Sequence, residues 1–145
     1  MIGGLYNTDV LFLAANISHV GKLKNPDGTA RKVSKLCGSW VEVDVCVARD
    51  AGKSVVIDFA VRLQACALGQ AAAAILAENV ISANLTELRE ARDGLWAMLK
   101  QGAEPPEGRF AKLSLLADVA NYPARHTSTM LAFDAVVEAI EIGVT

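Results

Sequence analysis

Between residues 40 and 64 apolar and polar positions alternate. Val41, Val43, Val45 and Val47 share one parity, and Trp40, Glu42, Asp44 and Cys46 the other. After Asp50-Ala51-Gly52-Lys53, a turn by composition, the alternation resumes. Val55, Ile57, Phe59, Val61 and Leu63 fall on one side, with Ser54, Asp58 and Arg62 opposite. Two matched strands with one apolar face each predict an antiparallel hairpin covered on one side only. Glu42 and Asp44 are then expected on a solvated face. Asn25-Pro26-Asp27-Gly28 reads as a turn, and the weak alternation over residues 30–36 as an edge strand.

Elsewhere the period is helical. Leu5, Val10, Leu11, Leu13 and Ala14 predict a short amphipathic helix over residues 6–16. From Ala67 a stripe of Leu68, Ala72, Ile75, Leu76 and Val80 predicts a second, in which Ala71, Ala72, Ala73 and Ala74 allow close packing. Asn84-Leu85-Thr86-Glu87 has the form of a capping box, and the helix behind it carries Leu88, Leu95, Met98 and Leu99. A loop over 102–108 holds Pro105 and Pro106. A short helix is expected over 110–119, broken by Asn121-Tyr122-Pro123. The last helix, 128–142, turns Met130, Leu131, Ala135, Val137 and Ile140 inward. The order helix, strands, helices predicts an α+β domain: a small antiparallel sheet of about three strands with helices packed on one face.

The chain has 145 residues, 52% of them apolar and 21% charged, which excludes disorder and bounds it to a single domain over 1–145. A net charge of −2 leaves no basic excess for phosphates, and 6% aromatics offer no platform for bases, so no nucleic-acid partner is expected. The longest uncharged stretch, 63–77, is broken by Gln64 and Gln70 and falls short of the ~20 apolar residues of a membrane span. The apolar run 10–15 follows Asp9 and lacks the basic flank of a signal peptide. No membrane association and a cytoplasmic location are expected.

In a reducing compartment Cys37, Cys46 and Cys66 are thiols rather than a disulfide framework. Cys37, followed by Gly38, lies at the turn into the first strong strand. Cys66 follows the returning strand and precedes the Ala-rich helix, where unpaired amides and the helix dipole favour a thiolate. Antiparallel pairing brings both thiols to the same edge of the sheet. Cys46, mid-strand among polar positions, is read as inert. His126, ahead of the last helix, is a surface or capping residue or else a further ligand, and the Ser128 hydroxyl is suited to capping that helix.

Residues 6–21 (including Asn16-Ile17-Ser18-His19-Val20-Gly21), Cys37-Gly38, and Ala65-Cys66-Ala67-Leu68-Gly69-Gln70 resemble the U-type iron–sulfur scaffold family of IscU, SufU and the N-terminal domain of NifU. The resemblance covers nearly the whole chain. It is nearest the SufU type, whose extra segment is similar to Gly108-Arg109-Phe110-Ala111-Lys112-Leu113 through Tyr122-Pro123-Ala124-Arg125.

The resemblance implies the same α+β fold and a non-enzymatic scaffold or carrier for iron–sulfur cluster assembly. A cysteine desulfurase and recipient apo-proteins would be its partners, and it would be a monomer or weak homodimer. In the family three cysteines and an aspartate hold zinc or a nascent cluster. Two of those positions fall on Cys37 and Cys66. The aspartate falls on Ser39 and the third cysteine on Ser128, while the IscU histidine falls on Thr127, beside His126. Asn121-Tyr122-Pro123-Ala124-Arg125 replaces the Leu-Pro-Pro-Val-Lys chaperone motif of IscU.

The implied metal-site residues are Cys37, Cys66, His126 and Ser128, holding a transient iron–sulfur cluster or zinc weakly or not at all. Serine is a poor ligand beside thiolate, imidazole and carboxylate. Three functions compete: a cluster scaffold, a SufU-like zinc-dependent sulfur acceptor, and a degenerate homologue acting through protein contacts.

Overall fold

The computed structural model describes residues 4–145; residues 1–3 of the expected 1–145 domain lie outside the described residues. The alternating segments form an antiparallel sheet in the order β1 (Gly28–Val33), β2 (Trp40–Asp50), β3 (Lys53–Gln64). Ala51 and Gly52 both have positive φ, 51° and 80°, so the β2–β3 turn twists with the strands it joins. β1 is the expected edge strand. It begins earlier than the weak alternation suggested and ends at Val33, because Ser34 opens the turn that carries Cys37.

Val41, Val43 and Val45 are fully buried opposite Leu63, Val61 and Phe59. Nearer the turn the expected phase fails. A bulge shifts the register between Cys46 and Val47, so that Val47 pairs with Val56. Val56 therefore takes the inward position, and Ile57, expected inside, is exposed.

The polar face of the sheet is not solvated as expected. Residues 19–23 cross it, and Asp44 is buried beneath them. Its carboxylate accepts from both terminal nitrogens of Arg62 at 3.0 Å, from Thr29 Oγ1 at 2.7 Å and from the Leu23 amide at 3.0 Å. Glu42 accepts from Arg62 Nε. The same segment covers the outer edge of β3: Gly21 N–H donates to Val61, whose N–H donates to His19.

α1 (Thr8–Ala15) is capped by Asn7, and α3 (Leu85–Gln101) by the reciprocal Asn84–Glu87 box. α4 (His126–Gly143) lies against β1 and β2. α2 (Ala67–Asn79) and α3 pack on α4, and α1 packs on α2. Gly28 lets α4 approach, since a Cβ there would collide with the Ala139 carbonyl. α2 buries every residue from Ala71 to Ala77 rather than a single stripe, because helices and the 3₁₀ segment Gly108–Asn121 surround it. That segment replaces the expected short helix and buries Phe110, Leu113, Leu116 and Val119. Among the described residues no helix is long and apolar enough to cross a membrane.

Candidate functional site

The register that pairs Trp40 with Gln64 places Cys37 and Cys66 beyond the same end of the β2–β3 hairpin. Cys37 stands on a turn closed by two backbone bonds of 2.8 Å, Gly38 N–H to Ser34 and Ser34 N–H to Ser39. Gly38 has φ 74°, a left-handed conformation for which glycine is the natural residue. The turn leaves Cys37 exposed while burying Ser34 and Ser39. Cys66 is the N-cap of α2 and makes no capping bond with its side chain. Ser128 lies in the first turn of α4. α2 and α4 approach closely there because residue 69 is glycine: a Cβ would sit 3.0 Å from the Ser128 carbonyl oxygen.

Each thiol thus has serine neighbours. Cys37 Sγ is 3.5 Å from Ser34 Oγ and 3.1 Å from Ser39 Oγ, and Cys66 Sγ is 3.5 Å from Ser128 Oγ. Arg125, just ahead of α4, lies within electrostatic range of both sulfurs and is hydrogen-bonded to Tyr6. Cys37 is lowered from an ordinary 9.0 to about 7. The Ser34 hydroxyl contributes most, then the Ser39 hydroxyl and backbone; Arg125 adds to these against a small effect of burial. At neutral pH Cys37 is substantially thiolate, the form that binds metals and attacks sulfur.

The structure does not gather His126 into this group. His126 is buried, its Nε2 lies 2.9 Å from the Val119 carbonyl, and its Nδ1 has no partner among the described residues. A carbonyl only accepts, so Nε2 carries the proton and the ring ties α4 to the end of the 3₁₀ segment. Among the described residues no three His, Cys, Asp or Glu side chains come together as a metal-binding group. Ser128 is within 3.5 Å of Cys66, and its hydroxyl also donates to the Arg125 carbonyl. Cys46 lies elsewhere, against the Asn25 carbonyl. Sequence reasoning passed over Arg125 and Ser34 as parts of the site. Arg125 had a local signal, since it stands three residues before Ser128 at the start of the same helix. Ser34 had none, because its role depends on how the turn closes.

The donor set limits the chemistry. Two thiolates and neutral hydroxyls do not fit a closed zinc site, which takes four thiolate, imidazole or carboxylate donors. They do fit one iron whose remaining positions are filled by sulfide, as in half of a [2Fe–2S] unit held by four cysteines.

No protein-family model matches the chain. It is 26% identical over 137 residues to the iron–sulfur cluster assembly scaffold protein IscU of Thermotoga maritima, covering 94% of this chain and 93% of that protein. The crystal structure of SufU from Fervidobacterium islandicum AW-1, assigned as a scaffold for the SUF system, superposes with a TM-score of 0.79. At 23% identity, over 93% of this chain and 96% of that one, it shows the fold. The crystal structure of a nitrogen-fixing NifU-like protein (N-terminal) from Brucella abortus has a TM-score of 0.89 and 44% identity, covering 97% of this chain and 94% of that one. With that identity across nearly the full length of both, the chain belongs to the NifU-like N-terminal family, the U-type scaffold family of IscU and SufU.

Proposed function

We propose that this chain is a scaffold or carrier for iron–sulfur cluster assembly, acting as one domain over 1–145 in the cytoplasm and not as an enzyme. One observation carries this: two thiols, one exposed and thiolate-prone, lie at one end of the hairpin beside the same guanidinium. The relatives named as cluster assembly scaffolds support it. Cys37 and Cys66 would hold iron, with Ser128 and His126 outside the ligand set. A cysteine desulfurase would deliver sulfur to the exposed Cys37, and recipient apo-proteins would take the cargo. Two thiolates leave half of a [2Fe–2S] unit without protein ligands, which suits cargo that must leave.

The test is metal and acid-labile sulfide analysis after purification without oxygen and reconstitution with ferrous iron and sulfide. Iron with sulfide that is lost in Cys37→Ser and Cys66→Ser is the expected result. Zinc alone would favour the sulfur-acceptor function instead, and neither metal would overturn both.

A further inference from the structure

Sulfur delivered as a persulfide is at the wrong oxidation level for a cluster. The sulfane sulfur is formally zero and cluster sulfide is −2, so two electrons must be supplied. Two cysteine thiols that become one disulfide release two electrons. Cys37 and Cys66 are two such thiols at one end of the hairpin, and among the described residues neither is gathered with a third His, Cys, Asp or Glu donor; Ser39 and Ser128 stand beside them. Cys37 is exposed on its turn and open to a donor molecule. Cys66 is partly exposed, and its side chain is not used to cap α2. Arg125 places a positive charge near both sulfurs, where a hydrosulfide anion would depart.

We infer that the Cys37–Cys66 pair converts sulfane sulfur to sulfide within the chain. In the first step the Cys37 thiolate attacks the terminal sulfur of a persulfide R–S–SH. The donor S–S bond breaks, R–S⁻ leaves, and Cys37–S–SH forms. In the second step the Cys66 thiolate attacks the Cys37 sulfur. A Cys37–Cys66 disulfide forms, the persulfide S–S bond breaks, and HS⁻ leaves with the electron pair. The two cysteine sulfurs are oxidised by one electron each, and the sulfane sulfur is reduced by two. Two equivalents of a thiol reductant, themselves becoming a disulfide, restore the pair. The step is stoichiometric, one sulfide per chain, unless such a thiol is present. It rests on the assignment of Cys37 and Cys66 to the sulfur-handling site proposed above.

The test uses the reduced, metal-free full chain mixed without oxygen with one equivalent of glutathione persulfide. Acid quenching is followed by sulfide assay, alkylation and peptide mass analysis. The wild type should release about one sulfide per chain and show a Cys37–Cys66 disulfide, a loss of two hydrogens; Cys46→Ser should do the same. Cys66→Ser and Cys66→Ala should instead hold an extra sulfur on Cys37 and release no more sulfide than the donor alone. Wild type that accumulates the Cys37 persulfide without the disulfide overturns the inference. Equal sulfide from wild type and folded Cys66 variants, or no extra sulfur on Cys37 in those variants, overturns it as well. Reconstitution with ferrous iron and sulfide salt bypasses this step. Cluster retained there, with the step failing here, leaves the scaffold function standing.

Discussion

The two serines beside Cys37 offer a direct experiment on what makes this thiol reactive. The Ser34 hydroxyl contributes most to lowering Cys37 from 9.0 to about 7, followed by the Ser39 hydroxyl. The turn itself is held by backbone bonds of Ser34, Gly38 and Ser39. Ser34→Ala with Ser39→Ala therefore removes the hydroxyls and leaves the loop closed.

At pH 7 the native thiol is about half thiolate, and one with an ordinary value near 9 is about 1% thiolate, a roughly fiftyfold difference in reactive form. Nucleophilicity falls with pKa at a Brønsted slope of about 0.4–0.5, which returns roughly eightfold, so the native thiol should react about sixfold faster at pH 7 than a thiol at about 9, and about two- to sixfold faster than the double variant. The assay is the pH dependence of Cys37 modification by an aromatic disulfide, resolved from Cys46 and Cys66 by peptide mass. The midpoint should move from near 7 to between 8 and 9, because the Ser39 amide and Arg125 still favour the anion. A midpoint still near 7 in the double variant would falsify the hydroxyl argument. The linked stability has a definite sign: it is present above the unfolded value near 9 and is lost as pH falls through 7. Solvent keeps it small at so exposed a residue.

Gly28→Ala should destabilise the fold by about 1–3 kcal/mol in urea titrations, since its Cβ meets the Ala139 carbonyl of α4 rather than a flexible side chain. Asp44→Asn should cost about 3 kcal/mol by the same measurement, because Arg62 loses its buried partner. Burial pushes the Asp44 carboxyl up, and Arg62, Thr29 and the Leu23 amide outweigh it, so its value is lowered. Its contribution is complete above the unfolded carboxyl value of about 4 and is lost as pH falls below it; acid titration of Asp44→Asn should lack that loss. Ser128→Cys would put a thiol where an oxygen now lies 3.5 Å from Cys66 Sγ. Chelator competition should show zinc affinity at least about tenfold higher (~1.4 kcal/mol), and unchanged affinity would place position 128 outside the metal's reach.

The sheet, and with it the position of Cys37 and Cys66 beyond one end of the hairpin, was legible in the sequence because a period of two and a short hairpin turn leave little choice of register. The Asn84–Glu87 box was legible because it is local. What failed depended on distant chain. Ile57 was assigned inward by strict alternation, which cannot see a bulge that lets two residues of β3 oppose one of β2. Asp44 has the sequence context of a solvated residue, and it is buried by distant chain, with Leu23, Thr29 and Arg62 all bonded to its carboxylate. α2 showed a stripe because alanine carries little hydrophobic signal, yet those alanines are fully buried among the surrounding elements. His126 was read as a surface or capping residue or else a ligand, and the structure buries it. Its ring instead satisfies a carbonyl of the 3₁₀ segment, an element whose course its local pattern did not reveal.

The ligand set that the resemblance implies differs from the residues of this site chiefly in charge. Three thiolates and a carboxylate would carry four negative charges; with Ser39 and Ser128 where the resemblance puts two of them, at most two are left, and Arg125 offsets one. A divalent ion loses electrostatic attraction with each missing anion, and a hydroxyl returns little of it. An anionic sulfur species loses nothing by the same change, because hydroxyls and a guanidinium all donate to it. On that correspondence Cys37 and Cys66 are expected to hold a cation less firmly than the full ligand set would, with no loss toward an anionic sulfur species. Ser39→Asp in a Ser128→Cys background would restore the family's charge, and it should strengthen zinc binding while slowing sulfide release.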